Sequence, residues 1–158
     1  MIEHIRIRGL LLRKVFGAIL GACAVATFFS LFGYSDGATF SDYAKELGLG
    51  LVSYLTAAVL TLRLTKRDSV LLDITGVTLI GSALSFLAKS IFLEGQNGIP
   101  AYLARATRDH WWKAIGDLAS DAVSFVILVM LLSLPFVAIG AWIYQLWEKS
   151  RMATSDRV

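Results

Sequence analysis

The sequence predicts an all-α membrane protein with four transmembrane helices and a short interfacial helix in the second outer loop. Of the 158 residues, 56% are hydrophobic and 17% are charged, whereas charged residues make up about a quarter of an average soluble domain. The charges collect between apolar runs that approach the length a helix needs to cross about 30 Å of hydrocarbon. Because lipid offers backbone groups no hydrogen-bond partners, we expect each run to be helical.

Four apolar runs define the predicted spans, which together form one integral membrane domain over residues 1–158. The first run and, from Ala122 onward, the fourth run carry no charge, and the second has Arg63 near its end. The third has Asp73 and Lys89 near its opposite ends. The predicted spans cover residues 15–35, 47–64, 70–93 and 121–147.

The distribution of Lys and Arg predicts that both termini lie in the cytoplasm, with the chain in a bacterial inner membrane. Ten basic residues fall in the two tails and in the loop after the second span, against four in the other two loops. Basic loops tend to stay on the cytoplasmic side of a membrane. The four basic residues predicted to lie outside are Lys45, Arg105, Arg108 and Lys113.

The interfacial helix is predicted over residues 100–119. Pro100 suits the first position of a helix, and two adjacent Trp residues favour the headgroup region, where the ring is half buried and its N–H meets water. We expect this helix to recognise a protein partner or lipid phosphates; the alternative is a tether that packs on the bundle. The residues predicted to carry recognition are Trp111, Trp112, Arg105, Arg108 and Lys113.

Charged residues inside the spans are the first candidates for function, because such residues are rare and costly in a bilayer. Arg63 and Asp73 flank the inner loop at similar depth, which predicts an ion pair across this hairpin. The pair is interpreted as a structural clamp or, alternatively, as a gate or proton site. Lys89 is interpreted as an anchor whose ammonium reaches the surface or, in an oligomer, as a charge lining a pore.

Small residues repeat along three of the predicted spans and indicate close helix packing. Because four helices have few internal faces, we also expect one such stripe to serve a homo-oligomer. Pro135, in the middle of the fourth span, predicts a static kink or a hinge. The residues singled out for helix packing are Gly17, Gly21, Ala57 and Gly81.

The sequence shows no set of residues that would identify an enzyme, a metal site or a cofactor site. It has one cysteine and two histidines, too few for a zinc or haem site built from those residue types. Its basic residues flank apolar spans instead of forming one surface, which argues against nucleic acid as a partner. We therefore expect a non-enzymatic protein without catalytic residues or cofactors.

The segment that ends at Cys23 resembles a lipoprotein cleavage box. The apolar run between Arg13-Lys14 and Leu20-Gly21-Ala22-Cys23 spans about six residues, below the 7–15 of a typical signal. The chain also stays apolar after Cys23, where a lipoprotein has a polar tether. We expect Cys23 to remain unmodified.

The layout resembles several small four-span bacterial families. The segment from Phe40-Ser41 through Ser53-Tyr54 to the basic end Arg63-Leu64-Thr65-Lys66-Arg67 is arranged like the corresponding part of the phage-exclusion protein RexB. The short basic inner loops and compact outer loops also resemble the membrane subunit of the Kiwa anti-phage system and the immunity proteins against pore-forming colicins. The resemblance implies a role in bacterial defence or immunity and assigns no role to any residue.

Three function classes follow from these observations. The first is a membrane subunit, sensor or scaffold that assembles with itself or with a protein partner. The second is an oligomeric ion channel or leak pathway, and the third is an immunity protein that binds a membrane-active toxin. A channel needs polar residues along a shared path, whereas the other two classes need only surfaces.

Overall fold

The computed structural model describes residues 2–32, 39–64, 69–92, 104 and 111–155, and this part of the chain contains four long helices. All four are long and apolar enough to cross a membrane, as the sequence predicts. The fold is therefore all-α and consistent with a multi-pass membrane protein. The helices are α1 Ile2–Phe32, α2 Phe40–Leu64, α3 Val70–Phe92 and α4 Trp111–Ser155.

Short polar side chains define where α2 and α3 begin. Thr39 caps α2, because its hydroxyl accepts a hydrogen bond from the Asp42 N–H at 3.3 Å and its own N–H donates to the Asp42 carboxylate at 3.1 Å. Ser69 precedes α3, and its carbonyl accepts the first helical hydrogen bond, from the Asp73 N–H at 3.0 Å. Asp73 therefore lies in the first turn of α3, where the helix dipole favours a negative charge.

The helices form a bundle in which each packs against its neighbours in the ring order α1, α2, α3, α4. Neighbours in the ring run in opposite directions, so α1 and α3 run the same way and also contact each other across the bundle. We call the end at which α2 and α4 finish the tail end. The end at which α1 and α3 finish is called the far end.

Small residues allow the helices to approach closely in the middle of the bundle. A Cβ atom added to Gly140 of α4 would lie 2.7 Å from the Gly17 Cα of α1, so the two backbones are in direct contact. Gly21 and Gly81 leave room for the ring of Tyr54, the largest of the fully buried side chains. Ala57 is also fully buried. All four residues singled out for packing therefore lie against helices of the same chain.

A separate interfacial helix over residues 100–119 is not shown, because residues 100–110, apart from residue 104, lie outside the described part of the chain. Residues 111–119 are the beginning of α4, which continues from Trp111 through the whole span to Ser155. Between Trp111 and the span no proline interrupts the backbone hydrogen bonds, and each added residue extends a helix by one bond. Trp111 and Trp112 are 50% and 68% exposed. Arg105 and Arg108 lie outside the described residues, and Lys113 is exposed.

Pro135 lies inside α4, and the helix continues on both sides of it. Proline lacks the N–H that would bond to the carbonyl four residues earlier. Nearby, the Ser133 hydroxyl approaches the Met130 carbonyl at 3.5 Å. Whether this position acts as a hinge stays a prediction.

Candidate functional site

The tail end holds a buried ion cluster made by Arg13, Lys14 and Asp73. The Arg13 Nε donates to Asp73 Oδ2 at 3.1 Å, and the Arg13 Nη2 contacts the same oxygen. The Lys14 Nζ lies 2.5 Å from the other oxygen, Asp73 Oδ1. The three residues are 8%, 3% and 2% exposed, so one carboxylate sits between two cations inside the bundle.

Helix geometry brings these residues to one level. Arg13 is as far from Phe32, the last residue of α1, as Asp73 is from Phe92, the last residue of α3. Because the two helices run the same way and touch across the bundle, equal distances from their ends place the side chains opposite each other. We call Arg13, Lys14 and Asp73 the tail-end cluster.

The predicted ion pair between Arg63 and Asp73 is wrong. Arg63 is exposed at the last turn of α2, whereas both oxygens of Asp73 are directed to cations of α1. The prediction compared only the two helices joined by a hairpin. Asp73 faces the interior of the bundle, where the helix across the bundle supplies its partners.

The far end holds a second buried ion pair, between Glu46 of α2 and Lys89 of α3. The Lys89 Nζ lies 2.5 Å from Glu46 Oε2, and the two side chains are 7% and 8% exposed. At this distance the two opposite charges form a buried, charge-assisted pair. The ammonium also lies 3.4 Å from the centre of the Phe29 ring and 5.7 Å from that of Phe125.

The interpretation of Lys89 as an anchor that reaches the surface is also wrong. Its side chain turns into the bundle, because a carboxylate and two aromatic rings lie there. The rings of Phe29 and Phe125 are stacked with their centres 5.4 Å apart. Glu46, Lys89, Phe29 and Phe125 are called the far-end cluster, and each comes from a different helix.

A row of buried polar residues on α3 connects the two clusters. From Asp73 to Lys89 the helix rises by about 24 Å along its axis. Thr78, Ser82 and Ser85 lie between them on the same buried face, each with no exposed surface. This spacing keeps the side chains on one side of the helix. The separation of the two clusters along α3 is therefore comparable to the thickness of a hydrocarbon layer, about 30 Å.

Tyr54 of α2 packs against the middle of this row. Its hydroxyl lies 3.3 Å from the Ser82 Oγ and also within hydrogen-bond reach of Ser133 on α4. The Ser82 hydroxyl donates its own proton to the Thr78 carbonyl at 2.7 Å. Tyr54 is therefore the donor toward Ser82, and its ring fills the space that Gly21 and Gly81 leave.

Several buried oxygen atoms in the described part of the bundle lack a hydrogen-bond partner. They are Thr78 Oγ1, Ser85 Oγ, Ser30 Oγ and the Glu46 Oε2 described above. A buried polar atom without a partner costs about 1–3 kcal/mol. Of the four, Glu46 Oε2 is ion-paired with Lys89. Ser85 is one helical turn before Lys89, and Ser30 follows Phe29.

Sequence reasoning missed Glu46, Arg13 and Lys14 as interior residues, since it counted them only as loop or tail charges. These residues can be identified by their distance, in residues, from the ends of their helices. Glu46 is almost as far from the end of α2 as Lys89 is from the start of the antiparallel α3. Counting from the ends of all four helices, and not only of the two in a hairpin, identifies both clusters.

The chemistry offered by these clusters is charge recognition inside an apolar bundle. Within the described part of the chain, no group of three His, Cys, Asp or Glu side chains is placed to hold a metal ion.

No protein-family model matches the chain, and no curated protein or solved structure matches it either.

Proposed function

We propose that this chain is a non-enzymatic membrane protein that acts as a sensor subunit, with the two ion clusters holding the bundle in one of two arrangements. The proposal is supported by the two buried clusters, which lie about 24 Å apart along α3 and which we place near the opposite boundaries of the bilayer. A change on one side of the membrane alters one cluster, and the shared helix α3 passes the change to the other.

The clusters favour a sensor over a simple scaffold because close packing alone already holds the helices together. The contact between Gly17 and Gly140 brings two backbones together without any charge. Removing charges from water costs several kcal/mol per ion, roughly as much as their pairing returns. A buried ion pair breaks as a unit when one partner is neutralised or displaced. Such a contact allows the bundle to switch between two arrangements.

The experiment measures whether the two ends are coupled. Spin labels at Leu71 of α3 and Leu146 of α4, both exposed near the tail end, report a distance by pulsed electron resonance in a Cys23→Ala background. We expect Glu46→Gln, at the far end, to change the distance distribution at the tail end. The control is Lys45→Gln, because Lys45 belongs to the same end but has a side chain 71% exposed. Identical distance distributions in the labelled parent protein, Glu46→Gln and Lys45→Gln would favour a scaffold.

A second candidate function is an ion or proton leak, and the row of buried hydroxyl groups on α3 favours it. Tyr54 opposes it, since its ring occupies the middle of the row with no exposed surface. Purified protein in vesicles with a potassium gradient and a pH-sensitive dye tests this function. A leak that Asp73→Asn abolishes supports conduction, and vesicles as tight as empty ones exclude it.

The setting proposed for the sensor is a bacterial inner membrane with both termini in the cytoplasm, where the tail end contacts a partner protein or a second copy of the chain. The basis for this orientation is the excess of basic residues in the tails. The defence role rests on the resemblance in layout. Reporter domains fused to each terminus test the orientation, and a toxin gene or a phage-defence gene beside this one would support immunity or defence.

A further inference from the structure

The far-end cluster has the chemistry of a receptor for organic ammonium ions. Such ions are recognised by the faces of aromatic rings together with a nearby negative charge. Here the Phe29 ring lies 3.4 Å from an ammonium nitrogen, and the Glu46 carboxylate lies 2.5 Å from it. Phe125 stacks on Phe29, and Phe86 packs against Phe125 with ring centres 5.5 Å apart.

The occupant of this site is a side chain of the protein itself. Lys89 and Phe29 both lie in the last turn before the far end, on α3 and α1 respectively, so the site is about one helical turn below that end. A lysine side chain has a flexible four-carbon stem with a compact charge at its tip. The Lys89 ammonium can therefore move to the far-end surface without a change in the backbone.

The site also has more acceptors than its occupant uses. Among the described residues, Ser85 Oγ and Ser30 Oγ are buried toward this end of α3 and α1 without hydrogen-bond partners, whereas Glu46 Oε2 is 2.5 Å from the Lys89 Nζ. An ammonium group carries three donors. A free ligand is not constrained by attachment to α3, so its ammonium can orient toward oxygen atoms that Lys89 does not satisfy.

We propose that the far-end cluster is a binding site for an alkylammonium group and that Lys89 is a built-in occupant, which the incoming ligand displaces. The binding site itself does not depend on the proposed sensor function. Only its role rests on that function: ligand binding would be the signal to which the sensor responds. Binding leaves Glu46 paired and releases the ammonium of Lys89 toward the surface. The far end of α3 is then free to shift.

The first test removes the built-in occupant. Butylammonium chloride is added to purified Lys89→Ala in detergent, and the thermal unfolding temperature is followed as its concentration rises. We expect a saturable increase with a midpoint on the order of 1 mM, the affinity typical of a ligand with so few atoms. In the wild-type protein the tethered Lys89 competes, so the midpoint should be at least about tenfold higher.

Matched controls separate binding from a general salt effect. Sodium chloride at the same ionic strength should not reproduce the increase, and Lys89→Ala/Glu46→Gln should lose the response to butylammonium. Lys113→Ala removes an exposed lysine instead and should behave like the wild-type protein. If Lys89→Ala gains no more from butylammonium than from sodium chloride, the far-end cluster is a structural ion pair and the proposal is wrong.

A second measurement uses the wild-type protein and does not depend on the variant folding. Acetylation of lysines by acetic anhydride is mapped by mass spectrometry with and without butylammonium. Because butylamine itself consumes anhydride, the readout is the ratio of Lys89 acetylation to Lys113 acetylation in the same sample. We expect butylammonium to raise this ratio several-fold, and an unchanged ratio overturns the proposal. Both readouts report on the site itself. Binding without a distance change at the tail end would therefore refute the sensor while the binding site remains.

Discussion

The two ion clusters place charges inside the same apolar bundle but surround them differently. At the tail end, one carboxylate lies between Arg13 and Lys14 and uses both oxygens. At the far end, a single ammonium meets a single carboxylate, and the face of Phe29 supplies the rest of its surroundings. A buried charge can therefore be held by several opposing charges or by one opposing charge and an aromatic surface.

These surroundings predict different behaviour at the two ends. A carboxylate with two cations is hard to remove, because its loss leaves two like charges facing each other in a low dielectric. A one-to-one pair on an aromatic face leaves one charge when broken, and another cation can take the vacant place. We therefore regard the tail-end cluster as the permanent clamp and the far-end cluster as the contact that opens.

The largest effect is expected from Asp73→Asn, which removes the clamp. Arg13 and Lys14 then remain buried together, and breaking a buried ion pair costs about 3–5 kcal/mol. The free energy of unfolding, measured by sodium dodecyl sulfate titration in mixed micelles, should fall by this amount. Asp117→Asn is the control, because Asp117 is an exposed carboxylate on α4. Equal losses for the two variants would contradict the clamp.

A smaller effect is expected at the far end. Glu46→Gln and Lys89→Met should each lower the free energy of unfolding by at most about 3 kcal/mol, the lower limit for breaking a buried pair. The double variant should lose less than the sum of the two, because no charge remains unpaired. The same titration measures all three proteins. Additive losses would show that the two side chains do not stabilise each other.

The smallest effect is expected in the middle of the bundle, where packing replaces charge. Gly140→Ala places a methyl group 2.7 Å from the Gly17 Cα, a backbone atom that cannot move aside alone. Overpacking of this kind lowers stability by about 1–3 kcal/mol. Gly116 of α4 has no atom of the described chain within 4 Å of its added Cβ, so Gly116→Ala is the matched control.

Gly116→Ala should be neutral or raise stability by about 0.5–1 kcal/mol, since alanine favours a helix over glycine. Thermal unfolding of both glycine variants in detergent provides the comparison. A loss of similar size in both would contradict overpacking against α1 as the cause, because the added methyl group of Gly116→Ala meets no atom within 4 Å.

How far the sequence predicts a site depends on how far apart its residues are in the chain. Both charges in the third span were identified as interior candidates, and Asp73 and Lys89 each belong to a cluster. Their partners were not identified, because Arg13 is 60 residues from Asp73 and Glu46 was counted as a loop charge. The start of α4 was also misplaced, since the polar residues after Trp112 were interpreted as the side of a separate helix.

Hydropathy alone predicts the four long apolar helices that the structure contains, because a bilayer leaves an apolar run of sufficient length no other way to satisfy its backbone. The sequence also determined that charges lie near the span ends, where approaching the hydrocarbon is least costly. Which charges meet depends on which helices face each other across the bundle and at what level. The small-residue pattern predicts that Gly17 and Gly81 allow close packing, but it does not show which helix each one faces. That follows only from the three-dimensional packing of these residues and Tyr54.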